Sequence, residues 1–182
     1  MKNKSLWIWS SVATVGLVSL YLAKKKREVQ TNVKVVPYVD LDRYLGTWFE
    51  IAKLPTPFEN SCYNVTAEYS KNEDGSIKVK NSCNKKSVNG PLEVVEGRAT
   101  VADKESNAKL KVEFLWPFEG DCWILDIGDN YDYALVGEPS QKYLWILSRT
   151  PRLDDILFER LLLIASQNGY KTNELILTKH HT

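Results

Sequence analysis

From Tyr44 onward, apolar and polar positions alternate in short runs. Turn signals part the runs roughly every 8–12 residues, the pattern of a sandwich or barrel. The runs are Trp48–Leu54, Tyr63–Ser70, Ser76–Ser82, Val94–Ala102, Lys109–Leu115, Cys122–Ile127, Asp132–Val136 and Lys142–Arg149. Pro55-Thr56-Pro57 ends the first, and Asp74-Gly75 is a strong hairpin turn between the second and third. Asn89-Gly90-Pro91, Pro117–Gly120, Gly128-Asp129-Asn130 and Gly137–Ser140 break the later ones. The connections are short and no helix interrupts the series. An eight-stranded up-and-down antiparallel barrel meets this count and leaves no exposed sheet edge.

After the strands the period changes from two to that of a helix. Thr150-Pro151 reads as a cap with Pro at the first helical position. Asp154 and Asp155 suit the positive end of the helix dipole. Leu153, Ile156, Leu157, Leu161 and Ile164 make one apolar stripe, and Asn168-Gly169 stops the helix. The stripe predicts one C-terminal helix packed outside the barrel. A last run, Leu175–Thr178, is suited to an edge strand.

Before the strands lies a different pattern. Leu6–Ala23 carries no charge and, as a helix, spans about 27 Å, close to a bilayer core. Trp7, Trp9 and Tyr21 sit near its ends, as interfacial rings do. Tyr21 is a poor fit to the small residue a cleavage site needs, and no Cys follows for lipoprotein processing. Residues 1–27 therefore read as an N-terminal transmembrane helix serving as an uncleaved membrane anchor, with a signal-like segment as the alternative, residues 28–39 as a linker, and residues 40–182 as the barrel domain. Basic residues flank both ends of the apolar run. The KKKR side is the stronger and favours a cytoplasmic barrel.

Composition narrows the chemistry. The 43% hydrophobic and 26% charged residues are a globular balance. The net charge of +1 hides an asymmetry. Residues 1–27 hold six basic residues and no acid, leaving 18 of the 24 basic residues and all 23 acids in the rest, a net of −5. A mildly acidic body offers no footprint for nucleic acid. His180 and His181 are the only histidines, both near the C-terminus. A catalytic triad and a His-based metal site are thus disfavoured in the body of the chain. No Walker, dinucleotide or HExxH motif occurs. No cofactor or metal is implied.

Cys62 and Cys83 flank the Asn72–Gly75 turn almost symmetrically. Adjacent antiparallel strands then carry them at one height, near the open end, where a disulfide is feasible. A bridge implies an oxidising compartment, which favours a periplasmic or exterior barrel and opposes the KKKR argument. Cys122, read as starting a later strand at the same end, is left free.

The residues resemble the lipocalin family and, within it, the bacterial Blc and apolipoprotein D branch. The likeness rests on Gly46-Thr47-Trp48 in YLGTWFEIAKLP, on DIGDNYDYA at Asp126–Ala134 followed by LVGEP, and on Arg149 in YLWILSRTP. VTAEY at 65–69 and the DGSIKV hairpin add to it. The motifs stand in order over roughly residues 38–178. The chain departs from that branch in lacking the lipidated N-terminal Cys.

The resemblance implies that Gly46, Trp48 and Arg149 close the barrel, the guanidinium lying across the indole. With Trp48 facing in, alternation turns Glu50 and Ala52 inward. The family's parity adds Val65, Ala67, Tyr69, Val79, Asn81, Val95, Ala99, Val112, Phe114, Trp116, Ile124, Tyr143 and Trp145 as ligand-lining residues. The set mixes small residues with rings, which favours a cavity over a filled core. Glu50 is either a satisfied structural acid or an acid facing the ligand. The implied function is binding of a fatty acid or lysophospholipid-like hydrophobic molecule, for lipid storage or transport in membrane maintenance. Two other readings compete. One is a lipocalin-fold enzyme of isomerase or de-epoxidase type, with Cys122 as nucleophile and Glu50 as acid. The other is an anchored stress or interaction protein with an incidental cavity.

Overall fold

The computed structural model describes residues 32–57, 59–115 and 118–181. The predicted anchor and the first residues of the predicted linker lie outside the described residues. Among the described residues no helix is long and apolar enough to cross a membrane.

Eight strands follow in order: β1 (Gly46–Lys53), β2 (Cys62–Lys71), β3 (Ile77–Lys85), β4 (Leu92–Val101), β5 (Lys109–Leu115), β6 (Phe118–Ile127), β7 (Tyr133–Gly137) and β8 (Leu144–Ser148). Each pairs antiparallel with the next, and β1 pairs with both β2 and β8, so the sheet closes into a barrel. The start of β1 and the β2–β3 turn lie at one end, and the end of β1 and the start of β2 at the other. The turn forms as its residues dictate. Gly75 takes a positive φ of 82°, and Asp74 Oδ1 accepts from the Ser76 N–H at 3.0 Å.

Two apolar layers result from strand alternation. One lies inside the barrel and includes Trp48, Tyr69, Val79, Ala99, Ile124, Val136 and Leu147. The other lies between the outer wall and helix α2 (Asp155–Gln167), with Ile51, Leu125, Leu135, Leu144, Ile146, Leu161 and Ala165. Helix α2 starts later than Thr150-Pro151 suggests. Asp154 is its cap, accepting from the Leu157 N–H at 3.1 Å, while the Thr150 hydroxyl donates to the Arg152 carbonyl. Ile156, about 100° round the helix from Leu157, is 82% exposed and outside the packed stripe. Strand β9 (Ile176–Leu177) pairs with the last residues of β1.

Two other expectations are corrected. From residue 32 the predicted linker is not a free spacer. Val33 and Val39 are buried, and the Val36 and Val39 N–H groups donate to the Ile124 and Ser106 carbonyls. Its β-branched residues supply apolar surface for the barrel, and a short helix, α1 (Leu41–Tyr44), continues it to β1. Strand β6 begins at Phe118, so Cys122 does not sit at the mouth. It pairs with Leu110, next to the start of β5 and towards the closed end.

Candidate functional site

The closed end is built around Trp48, which is fully buried. Its indole N–H donates to the Tyr44 carbonyl at 2.8 Å. The Arg149 guanidinium carbon lies 3.7 Å from the centre of the indole system. The same guanidinium donates to the carbonyls of Tyr131, Thr47, Arg43, Tyr44 and Leu45. It thereby ties α1, β1 and the β6–β7 connection into one floor. Gly46 turns the chain into β1 at a φ of 94°, which a side chain rarely tolerates. The family-derived geometry for these three residues is present.

Above the floor the inside divides. The Tyr44 ring packs 5.1 Å from both Trp48 and Tyr69. Around these rings Tyr69, Val79, Ala99 and Ile124 are buried, with Ala67, Val112 and Trp145 half-buried against them. Val65 is buried as well. Higher up, Val95 and Phe114 stand on the inward parity of β4 and β5, yet they are 46% and 41% exposed. The Phe114 ring lies against Gly97, where a Cβ would come within 2.6 Å of it. The upper wall is apolar and reached by water. Tyr143 and Trp145 place their ring centres 6.1 Å apart. Trp116 lies outside the described residues.

Ala52 is not in the lumen. A β-bulge between Glu50 and Ala52 shifts the β1–β8 register, so that Glu50 pairs with inward Leu147 but Ala52 with outward Ile146. Ala52 joins the layer beneath α2. The next residue, Lys53, turns in beside Trp145 instead and is 6% exposed.

That inversion builds a polar cluster on one side of the cup. The Lys53 ammonium donates to the Glu59 carboxylate at 2.8 Å and lies 3.8 Å from the Glu50 carboxylate. Thr56 and the Trp145 indole N–H also donate to Glu59. Thr178, just after β9, donates to Glu50. Burial pushes the Glu50 carboxyl up to about 7, the Glu59 charge adds to this, and Lys53 and the Thr178 hydroxyl oppose it. One ammonium thus serves two carboxylates, and Glu50 is a paired acid inside the barrel.

Two cysteines span the mouth. Cys62 and Cys83 form a disulfide with their Cα atoms 5.4 Å apart. With Glu93 they are the one group of three potential metal ligands among the described residues, but both sulfurs are taken by the bridge. Cys122 is free. Its thiol is an electrostatic neighbour of Tyr44 and Tyr69, and burial pushes it up to about 12, with Asp121 adding.

The alternating pattern did not reveal Lys53, Glu59, Thr178 or Tyr44. A bulge leaves no mark in the pattern, Glu59 comes from a loop and Thr178 from the last residues. Only Tyr44, four residues before Trp48 in a Tyr-x-x-x-Trp spacing, carried a local signal.

Residues 39–180 match the family model of the lipocalin-like domain. The outer membrane lipoprotein Blc of Citrobacter freundii is 40% identical over 171 residues, covering 92% of this chain and 94% of its own. Temperature-induced lipocalin-1 of Arabidopsis thaliana is 38% identical, covering 79% of this chain and 81% of its own. Apolipoprotein D of Bos taurus is 32% identical, covering 76% of each. Among solved structures, insecticyanin of the tobacco hornworm Manduca sexta superposes with a TM-score of 0.67 at 26% identity, over 82% of this chain and 85% of its own.

Proposed function

Since this chain belongs to the lipocalin family, in the branch of bacterial Blc and apolipoprotein D, we propose that its cup carries a fatty acid or lysophospholipid for lipid storage or transport in membrane maintenance. The observation that carries this reading is the divided interior. A ring-packed floor lies under an upper wall whose inward residues Val95 and Phe114 remain open to water. Covering that apolar wall with an acyl chain removes it from water, a gain of about 0.8 kcal/mol per buried methylene. The Glu50–Lys53–Glu59 cluster has no spare positive charge, so an anionic head group stays at the mouth, in water.

Binding rather than catalysis is the proposed role. A thiol pushed up to about 12 is protonated at neutral pH, so Cys122 makes a poor nucleophile. We also place the protein in the bacterial envelope, anchored by its N-terminal segment, with the barrel on the oxidising side. The naming of relatives as outer membrane lipoproteins and the Cys62–Cys83 bridge support that placement.

The test is native mass spectrometry of the full-length chain taken from its membrane. One fatty acid or lysophospholipid per barrel is expected. An empty barrel that also fails to bind a fluorescent fatty-acid probe would refute the carrier reading.

A further inference from the structure

Two polar atoms inside the cup are buried without a hydrogen-bond partner among the described residues: the Tyr44 hydroxyl and the Asn81 amide oxygen. Such groups are rare in folded proteins, because each has lost its water and gained nothing. Their surroundings place both on the inside. Trp48, Ala67, Asn81 and Val95 pair across β1 to β4 in one row, and Tyr69 and Val79 form the row next to it, towards the floor. Tyr44 is fully buried and packs against Trp48 of one row and Tyr69 of the other. The Tyr44 and Tyr69 hydroxyls lie near one another without meeting in a good hydrogen bond.

We propose that the cup carries a second ligand contact between its floor and its wall, in which Tyr44 and Asn81 hold a hydroxyl on the end of the ligand that enters first. The barrel then selects an acyl amphiphile hydroxylated at its buried end over a plain acyl chain. This rests on the carrier reading and names its ligand class more narrowly. The chemistry singles out a hydroxyl. Tyr44 can donate, and the Asn81 oxygen can only accept. A hydroxyl accepts from the first and donates to the second. A carbonyl satisfies one of them and a methyl neither. The lining is also uncharged. Tyr44, Tyr69, Cys122 and Asn81 are neutral, since burial holds both phenols and the thiol in their protonated forms. Arg149 spends its hydrogen bonds on backbone carbonyls and reaches Tyr44 only through space. A carboxylate placed here would have no cation to hydrogen-bond, whereas a neutral hydroxyl loses water and regains two partners.

The experiment compares hexadecanoic acid with 16-hydroxyhexadecanoic acid, each displacing a fluorescent fatty-acid probe from the delipidated full-length chain. On a purely apolar floor the added hydroxyl weakens binding. Here the hydroxy acid should bind about tenfold tighter or better. Tyr44→Phe keeps the ring packing and should bring the ratio of the two affinities to about one or below. Asn81→Leu should do the same and stands independently of any folding defect at Tyr44. Equal binding of the two acids, tighter binding of the plain acid, or a preference that survives both substitutions overturns the floor contact and leaves the carrier reading standing. If neither acid binds, both fall together.

Discussion

Replacing Arg149 with Ala tests the architecture of the closed end. The guanidinium makes five hydrogen bonds to backbone carbonyls and lies 3.7 Å above Trp48. The contacts to Arg43 and Thr47 are exposed, and water replaces them at little cost. The part-buried contacts to Tyr131, Tyr44 and Leu45 are worth about 1 kcal/mol each after that exchange. The cation–π contact adds about 1 kcal/mol, so the loss is about 3–4 kcal/mol. In a domain of this size that lowers Tm by about 10 °C. Arg149→Lys separates charge from shape. An ammonium keeps the charge but cannot fork towards several carbonyls from one plane, so the loss should still be about 2 kcal/mol. The assay is urea unfolding of the full-length chain followed by tryptophan fluorescence, with the m-value checked for constancy. Arg149→Ala within about 0.5 kcal/mol of the parent, or Arg149→Lys indistinguishable from it, would mean that the fork and stack do not hold the floor.

Three further outcomes follow from other parts of the barrel. The Cys62–Cys83 bridge closes a loop of 21 residues in sequence separation, so replacing both by Ser should cost about 3 kcal/mol in urea unfolding, and a midpoint unchanged from the oxidised parent would contradict that constraint. Glu50 titrates at about 7 when folded, against an ordinary value of 4.5. Between those values the folded state keeps a proton the unfolded chain has released. Stability should therefore fall by up to about 3 kcal/mol as pH rises through that window and level off above it. Glu50→Gln should remove that slope, and an identical pH profile for the variant and the parent would show that Glu50 is not the group responsible. Val95→Trp should fill the open part of the cup and weaken fatty-acid binding about tenfold with folding retained, whereas Ala99→Trp should overpack the closed part and cost about 1–3 kcal/mol of stability. A Val95→Trp variant that binds as well as the parent would mean that the upper wall is not the binding surface.

What the chain encodes locally is legible in its sequence. The strand series follows from a period of two and from turn residues that set their own backbone, such as Gly75. The Cys62–Cys83 pairing is anticipated from near-equal distances to one hairpin, although the ladder sets Cys62 opposite Lys85 and an irregularity between Tyr63 and Thr66 offsets the two strands. Gly46, Trp48 and Arg149 could be placed because their motifs carry a whole family's geometry. Other features were decided only by tertiary structure. Helix α2 could begin at Thr150 or at Asp154, both competent caps, and in the folded chain Asp154 caps it while the Thr150 hydroxyl turns to the Arg152 carbonyl. The valines at 33–39 suit a spacer or a packed segment equally, until a barrel offers surface to bury them. The bulge in β1 matters most for the cup. One inserted residue reverses every later side chain, so Ala52 leaves the lumen and Lys53 enters it. Alanine is compatible with either face, so nothing at position 52 announces the reversal. A lysine can turn inward only because Glu50, Glu59 and Thr178, from a strand, a loop and the chain's last residues, complete a charge-paired cluster there. Burying a charge is costly until its partners are in place, and those partners are brought together only by the closed barrel.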